Sequence, residues 1–161
     1  MKKIPLTQGL FALVDDADYA ELSRHKWYAH RDGRSIYARR GVIIAGKHCV
    51  LRMHRVIMGD AATGLQIDHC DGDGLNNQRA NLRVCTSSQN NWNQRISKAN
   101  TTGFKGVSRP ARLRGMVNCH VATIQLNGKR RYLGRFPTAE QAHAAYCEAA
   151  KKLHGEFARF E

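Results

Sequence analysis

Short apolar runs broken by clusters of Gly, Asn and Asp dominate the first part of the chain. Phe11-Ala12-Leu13-Val14 and Ile36-Tyr37-Ala38-Arg39 read as strands. Val42-Ile43-Ile44, followed past Gly46-Lys47 by Cys49-Val50-Leu51, reads as a hairpin. Asp18 to Lys26 predicts a short helix with Trp27-Tyr28 packed after it, and Val56-Ile57-Met58 before Gly59 predicts another helical turn. Leu65-Gln66-Ile67-Asp68-His69 is a strand that runs into the polar loop Asp71-Gly72-Asp73-Gly74-Leu75-Asn76-Asn77. Leu82-Arg83-Val84 is a second strand, and Thr86-Ser87-Ser88-Gln89 has the capping-box form that starts a helix.

The pattern changes further on. Phe104-Lys105-Gly106-Val107-Ser108 predicts a strand, and Val121 to Leu126 and Arg130 to Phe136 flank Asn127-Gly128, the strongest short hairpin signal. Thr138-Ala139-Glu140-Gln141 is a second capping box. Ala142, Ala145, Tyr146, Ala149 and Leu153 then recur at helical spacing before Gly155. Between the two patterns, Asn93 to Thr102 is polar and basic with no apolar period, a stretch that could itself run along DNA. The chain is therefore expected to be α+β, with residues 1–95 as one domain, 96–102 as a linker and 103–161 as a three-stranded antiparallel sheet packed on one helix.

Charge narrows the partner. Among 161 residues, 26 Lys and Arg against 13 Asp and Glu leave a formal net charge of +13. Such an excess favours a polyanion, because clustered cations displace counterions from phosphates. At 42% hydrophobic residues the chain has enough apolar content for packed cores. Asp15, Asp16 and Asp18 interrupt the opening apolar run, so no secretory leader is expected, and no run is long enough to span a membrane. The five cysteines, Cys49, Cys70, Cys85, Cys119 and Cys147, are scattered without a C-x-x-C pair. They are expected to be free, mostly buried thiols in a reducing cytosol, with no zinc cage.

Asp68-His69 ends an apolar strand, Asn81 precedes the next, and Asn90 falls on the helix after it. A carboxylate, an imidazole and amides in that order can build a strand-strand-helix metal site. Phosphodiester hydrolysis needs a base to activate water and a cation to stabilise charge on the phosphate. His69 suits the base. Asp68 and Asn90 are hard oxygen donors suited to Mg²⁺ or Mn²⁺. Alternation points Asp68 and His69 to opposite strand faces, although a strand end lets both reach one pocket. Asp71 and Asp73 read as loop caps before second-metal ligands. His54 fits either buried hydrogen bonding or a phosphate or active-site contact. Arg52 and Arg55 fit phosphate contacts, with solvated surface charge a close alternative. Trp27 and Trp92 read as packing, and His25, His30 and His48 carry no spacing signal.

Three stretches carry a family resemblance: Met53-His54-Arg55; Ile67-Asp68-His69-x-Asp71-Gly72-x-x-Leu75-x-Asn77-x-x-x-Asn81-Leu82-Arg83; and Thr86-x-x-Gln89-Asn90. With the lead-in Ile4-Pro5-Leu6, Ala12-Leu13-Val14-Asp15 and Lys26-Trp27, they resemble the phage-type HNH homing endonucleases over roughly the first 95 residues. The resemblance implies a metal-dependent DNA hydrolase with His69 as general base and Asp68 and Asn90 as metal ligands. Asn81 takes the place of the middle Asn that holds the loop and orients the histidine. The third motif position is Asn and not His, a weaker ligand, and the zinc-knuckle cysteines of other branches are absent.

Residues 103–161 resemble the plant ethylene-response-factor (apetala-type) DNA-binding domain. The likeness rests on Gly103-Phe104-Lys105-Gly106-Val107-Ser108, Val121-Ala122-Thr123-Ile124, Asn127-Gly128-Lys129, Tyr132-Leu133-Gly134-x-Phe136 and the Ala-rich helix from Thr138. It implies a sheet lying in the major groove with the helix behind it. Strand alternation then sends Ala122, Ile124 and Leu126 inward. Thr123, Gln125, Arg130, Tyr132 and Arg135 face outward, joined by Lys105, Arg109, Arg112 and Arg114 of the first loop; an ordinary solvated face is the alternative. His120 reads as core. The expected partner is double-stranded DNA, cut by a monomer as a nick or by a dimer on DNA as a double-strand break. A non-catalytic DNA-binding regulator and an RNA-binding structural protein remain the rival readings.

Overall fold

In the computed structural model, which describes residues 1–110 and 119–161, the chain divides after Thr86 into two units, Met1–Thr86 and Ser87–Glu161. In the first, β1 (Lys2–Pro5) pairs antiparallel with β2 (Phe11–Val14). Their alternation turns Ile4, Ala12 and Val14 inward. The first helix, α1, covers Asp16–Leu22, earlier than the 18–26 stretch expected. Asp15 is extended at its N-cap, and Asp16 and Asp18 in the first turn suit the positive end of the helix dipole. Trp27 is buried, its indole N–H donating to the Leu22 carbonyl at 2.8 Å.

Strands β3 (Tyr28–Asp32), β4 (Ser35–Ile44) and β5 (Lys47–Arg52) form an antiparallel sheet in that order. The β4–β5 turn places Ala45 and Gly46 at positive φ, 48° and 75°, as a tight primed turn requires. Helix α2 (Met53–Met58) follows directly. It packs Met53 and Ile57 into a core with Ile4, Val14, Leu22, Trp27, Ala38, Ile67 and Leu82. On that core stands the two-stranded ribbon of β6 (Gln66–His69) and β7 (Leu82–Cys85).

The second unit begins with α3 (Ser87–Trp92). Strands β8 (Val107–Ser108), β9 (His120–Leu126) and β10 (Lys129–Phe136) make one sheet with β9 central. Helix α4 (Ala139–His154) covers one face, and its capping Thr138 accepts from the Gln141 N–H. Ala122 and Ile124 are buried against Ala142, Tyr146 and Ala150. The strand expected over 104–108 shrinks to two residues. Gly103 and Gly106 take positive φ, 77° and 76°, and the Asn100 and Thr102 side chains donate to the Phe104 and Val107 carbonyls instead. A methyl at Gly106 would overlap the Tyr146 ring, so the backbone is drawn tightly onto α4. No helix among the described residues is long and apolar enough to cross a membrane. All five cysteines are free, but only Cys85 is buried and Cys70 is exposed, so the expectation of mostly buried thiols does not hold.

Candidate active site

Asp68 and His69 close β6, and alternation sends them to different neighbours although both are 5% exposed. Asp68 lies opposite Arg83 in β7. The Arg83 Nε and Nη2 both donate to Asp68 Oδ2, at 2.9 and 2.7 Å. His69 turns toward rings. His54 of α2 meets it edge-on with centroids 5.1 Å apart, and Tyr37 of β4 lies 5.8 Å away. His54 and Tyr37 also touch edge-on, at 5.7 Å.

The loop between β6 and β7 is held by its own polar side chains. Asp71 accepts from the Asp73 N–H at 2.8 Å and from Asn76 Nδ2 at 2.8 Å. Asn81 Nδ2 donates to Asp71 Oδ1 at 3.0 Å and to the Asn76 carbonyl at 2.8 Å, while Asn81 Oδ1 accepts from the Asp71 N–H at 3.1 Å. Asp71 is a loop cap, as its sequence setting suggested, and Asn81 is the knot that closes the loop. The far side is tied to β2: the Leu13 N–H donates to the Leu75 carbonyl and the Asn77 N–H to the Leu13 carbonyl, both at 2.8 Å. Asp15 accepts from the Arg79 N–H at 2.8 Å and from Gln78 at 3.1 Å, and Asp18 takes a two-pronged bond from the Arg79 guanidinium.

These surroundings tune the imidazoles. Burial pushes His69 below its ordinary value, against the opposing Asn77 hydrogen bond and the charges of Asp71, Asp68 and Asp73. His54 is pushed down to about 3, by burial first and then by His69 and the nearby arginines. Both shifts favour the neutral ring, and a neutral imidazole is the form that can accept a proton. Burial pushes the Asp71 carboxyl up, but the bonds from the Asp73 N–H, Asn76 and Asn81 outweigh it and hold the group below the usual carboxylate range.

The remaining expected site residues fall in several places. His54 is buried among rings, off the protein surface. Arg52 is half-exposed, 3.1 Å from Asp32 and over the Tyr37 ring, and Arg55 donates to the Leu65 carbonyl at 2.8 Å. Asn90 is half-buried on α3, in the second unit. Lys105 departs from the expected basic face: its ammonium is turned in to the Trp92 and Gln94 carbonyls, at 2.6 and 2.7 Å. It thereby satisfies the C-terminal end of α3, as a lysine does well there. Burial, with Arg159 adding to it, pushes that ammonium down to about 8.

Arg109 is exposed, and Arg112 and Arg114 lie outside the described residues. On the sheet, Gln125 pairs with Arg130, Thr123 with Tyr132 and Val121 with Arg135, so these side chains share the face away from α4. Gln125, Arg130, Tyr132 and Arg135 are exposed, Tyr132 at 64%, and Thr123 is half-buried. At one end that row borders a cavity of about 280 Å³, whose other lining includes Ser88, Asn91 and Trp92 of α3. His120 is half-buried.

The sequence reading gave no site role to Tyr37, Asn77, Arg83 or the Asp15–Asp18 clamp, although Asn77, Arg83 and Asp15 stand in the stretches that carry the family resemblance. Asn77 is fully buried, and its place within the Asn-rich loop motif was the one available signal. Among the described residues no three His, Cys, Asp or Glu converge as a metal cluster. Burial also pushes the Cys70 thiol up, away from thiolate ligation. The buried Asp68 carboxylate is a hard oxygen donor of the kind that suits an exchangeable divalent ion.

The same segment carries the likeness to known proteins. Residues 52–92, from the end of β5 through α3, match the profile described as HNH endonuclease. The chain is 30% identical over 156 residues, 94% of its own length and 74% of the other's, to an uncharacterized HNH endonuclease of Acanthamoeba polyphaga mimivirus. It is 35% identical over 102 residues, 63% of its length and 80% of the other's, to Protein 3.8 of Escherichia phage T7. No solved structure matches it. With a ring-packed histidine at a strand end, an asparagine-locked loop behind it and a helix after the second strand, this chain belongs to the HNH endonuclease family and is a nuclease.

Proposed function

We propose that the chain hydrolyses phosphodiester bonds of double-stranded DNA with one divalent cation, Mg²⁺ or Mn²⁺, leaving 5′-phosphate and 3′-hydroxyl ends. The observation that carries this reading is His69: a buried imidazole at the end of β6, over a loop that Asn81 and Asp71 hold in one shape. His69 takes the proton from the attacking water. His54, edge-on, and Tyr37, tilted, pack against its ring and keep bulk water from its flanks. Asn81 is a positioning residue, acting on the loop and through it on His69. Asp68 and Asn90 hold the cation, which when bound stabilises the charge that develops on the phosphate and the leaving oxygen.

The second unit supplies recognition in this proposal, as a domain of the ethylene-response-factor type. Its sheet presents Thr123, Gln125 and Tyr132 to base edges, while Arg130, Arg135 and the loop arginines face phosphates. Arg52 and Arg55 contact the backbone near the cut. One His69 per chain makes the product of a monomer a nick, and a homing or other site-specific phage nuclease is the setting that joins one such centre to a reader.

The test is cleavage of supercoiled DNA carrying the sequence that flanks the gene, with the ends mapped afterwards. Nicks with 5′-phosphate ends, stopped by chelation while the protein stays folded, are the expected result. Specific binding with no nick in any divalent ion would leave a DNA-binding regulator. Unfolding on chelation, with stoichiometric zinc in the protein, would overturn the metal assignment.

A further inference from the structure

We propose that Arg83 is a built-in counterion for Asp68, one that keeps the cation site weakly loaded until a DNA phosphate arrives to take the guanidinium. The inference rests on the nuclease reading above and concerns how its cation is admitted. Arg83 and Asp68 are directly opposed across the β6–β7 ribbon, and the Arg83 Nε and Nη2 both donate to Asp68 Oδ2, at 2.9 and 2.7 Å. The side chains are only 16% and 7% exposed. A guanidinium is a permanent positive charge.

A dication at Asp68 therefore meets a positive charge already bonded to its carboxylate, in a poorly screened place where like charges repel strongly. It must share the carboxylate with Arg83 or displace it, and a displaced buried guanidinium without an anion is costly. A phosphodiester removes that cost, because the planar fork that fits a carboxylate also fits phosphate oxygens. Arg83 precedes Val84 in β7 and follows Leu82, the partner of His69. A guanidinium released there stays one residue along β7 from the partner of His69, the base that deprotonates the attacking water. DNA and cation then load together, and cation without DNA is held poorly.

The experiment is Mn²⁺ titration, read by electron paramagnetic resonance, on His69→Ala protein, which should not consume the DNA. Each protein is titrated with and without duplex DNA. With Arg83 intact, DNA should tighten Mn²⁺ binding. Arg83→Gln, placed in the same His69→Ala background, still donates to Asp68 but carries no charge. It should bind Mn²⁺ about tenfold more tightly without DNA, and the gain on adding DNA should shrink. Arg83→Lys keeps the charge and should stay close to the Arg83 protein.

Equal or weaker Mn²⁺ binding by Arg83→Gln would overturn the proposal, as would a DNA effect that survives that change at full size. If Arg83→Gln did not fold, absence of any DNA-dependent tightening with Arg83 intact would overturn it alone, and Arg83→Lys binding Mn²⁺ far more tightly would do the same. These outcomes are separate from the nuclease reading, which fails only if the unaltered chain does not cut.

Discussion

Asn81 spends its side chain on three hydrogen bonds, two to Asp71 and one to the Asn76 carbonyl, so its replacement reaches His69 through the loop. Asn81→Ala leaves the Asp71 N–H and carboxylate short of a partner while β7 keeps its pairing. Cleavage should fall about 10²-fold, the scale set by small misplacement of a reacting group, with DNA affinity retained in gel shifts. An unchanged rate would remove Asn81 from the positioning role. Asp15 gives a residue-scale test of the clamp. The Arg79 N–H first, then the Gln78 side chain, hold its carboxyl below the ordinary value of 3.8. A group depressed by folding contributes stability that is present above its unfolded pKa and is lost as pH falls through the folded one. Asp15→Asn should therefore lower the melting temperature at pH 7, and the gap to the unaltered chain should close as the pH is taken below 3.8. A gap that widened on acidification would reverse the assignment.

The elements show where sequence reasoning reached and where it stopped. The ribbon, the helix after it, the Asn127-Gly128 hairpin and α4 announce themselves through caps, turns and periodicity. Strand β3 did not, because only Ala29 of its residues is buried and its place comes from pairing with β4, a contact no local pattern records. The site divides in the same way. His69, Asp68 and Asn81 are legible because loop and strand spacing are local. Tyr37 and the Asp15 clamp are not, since they arrive from elements distant in sequence. Lys105 misled for a related reason: a lysine in a basic loop reads as solvated until the end of α3 and the turn after it present the Trp92 and Gln94 carbonyls to it. Gly74 bears the docking of the loop. A Cβ there would meet the Ile36 carbonyl oxygen at 2.5 Å and Tyr37 Cδ1 at 2.6 Å, and the first of these is backbone that cannot turn aside. Gly74→Ala should cost about 1–3 kcal/mol, the range for overpacking, measured by urea unfolding. Full stability would mean that loop and β4 are not pressed together.

At the scale of the whole molecule, the net charge of +13 and the helix carrying Asn90 are the two features that extend beyond the catalytic loop. Helix α3 ends in the second unit's own contacts: Trp92 stacks on His154 with centroids 4.2 Å apart, and Lys105 bonds its last carbonyl, that of Trp92, and the Gln94 carbonyl just beyond it. Removing residues 101–161 should therefore cost more than DNA affinity. The truncated chain should bind weakly, with a shallower salt dependence because phosphate contacts are lost. It should also cut slowly at saturating DNA, since Asn90 loses its support; a full rate at saturation would show that α3 stands without the second unit. The central claim is that His69 is the general base, and one measurement addresses it most directly: nicking of supercoiled target DNA by His69→Ala beside a gel-shift titration of the same protein. A positioned base contributes about 10²- to 10⁴-fold in rate, so nicking should fall by at least that order, without rescue by added Mg²⁺ or Mn²⁺, while affinity stays within reach of the unaltered chain. Nicking by His69→Ala at the unaltered rate would contradict the assignment.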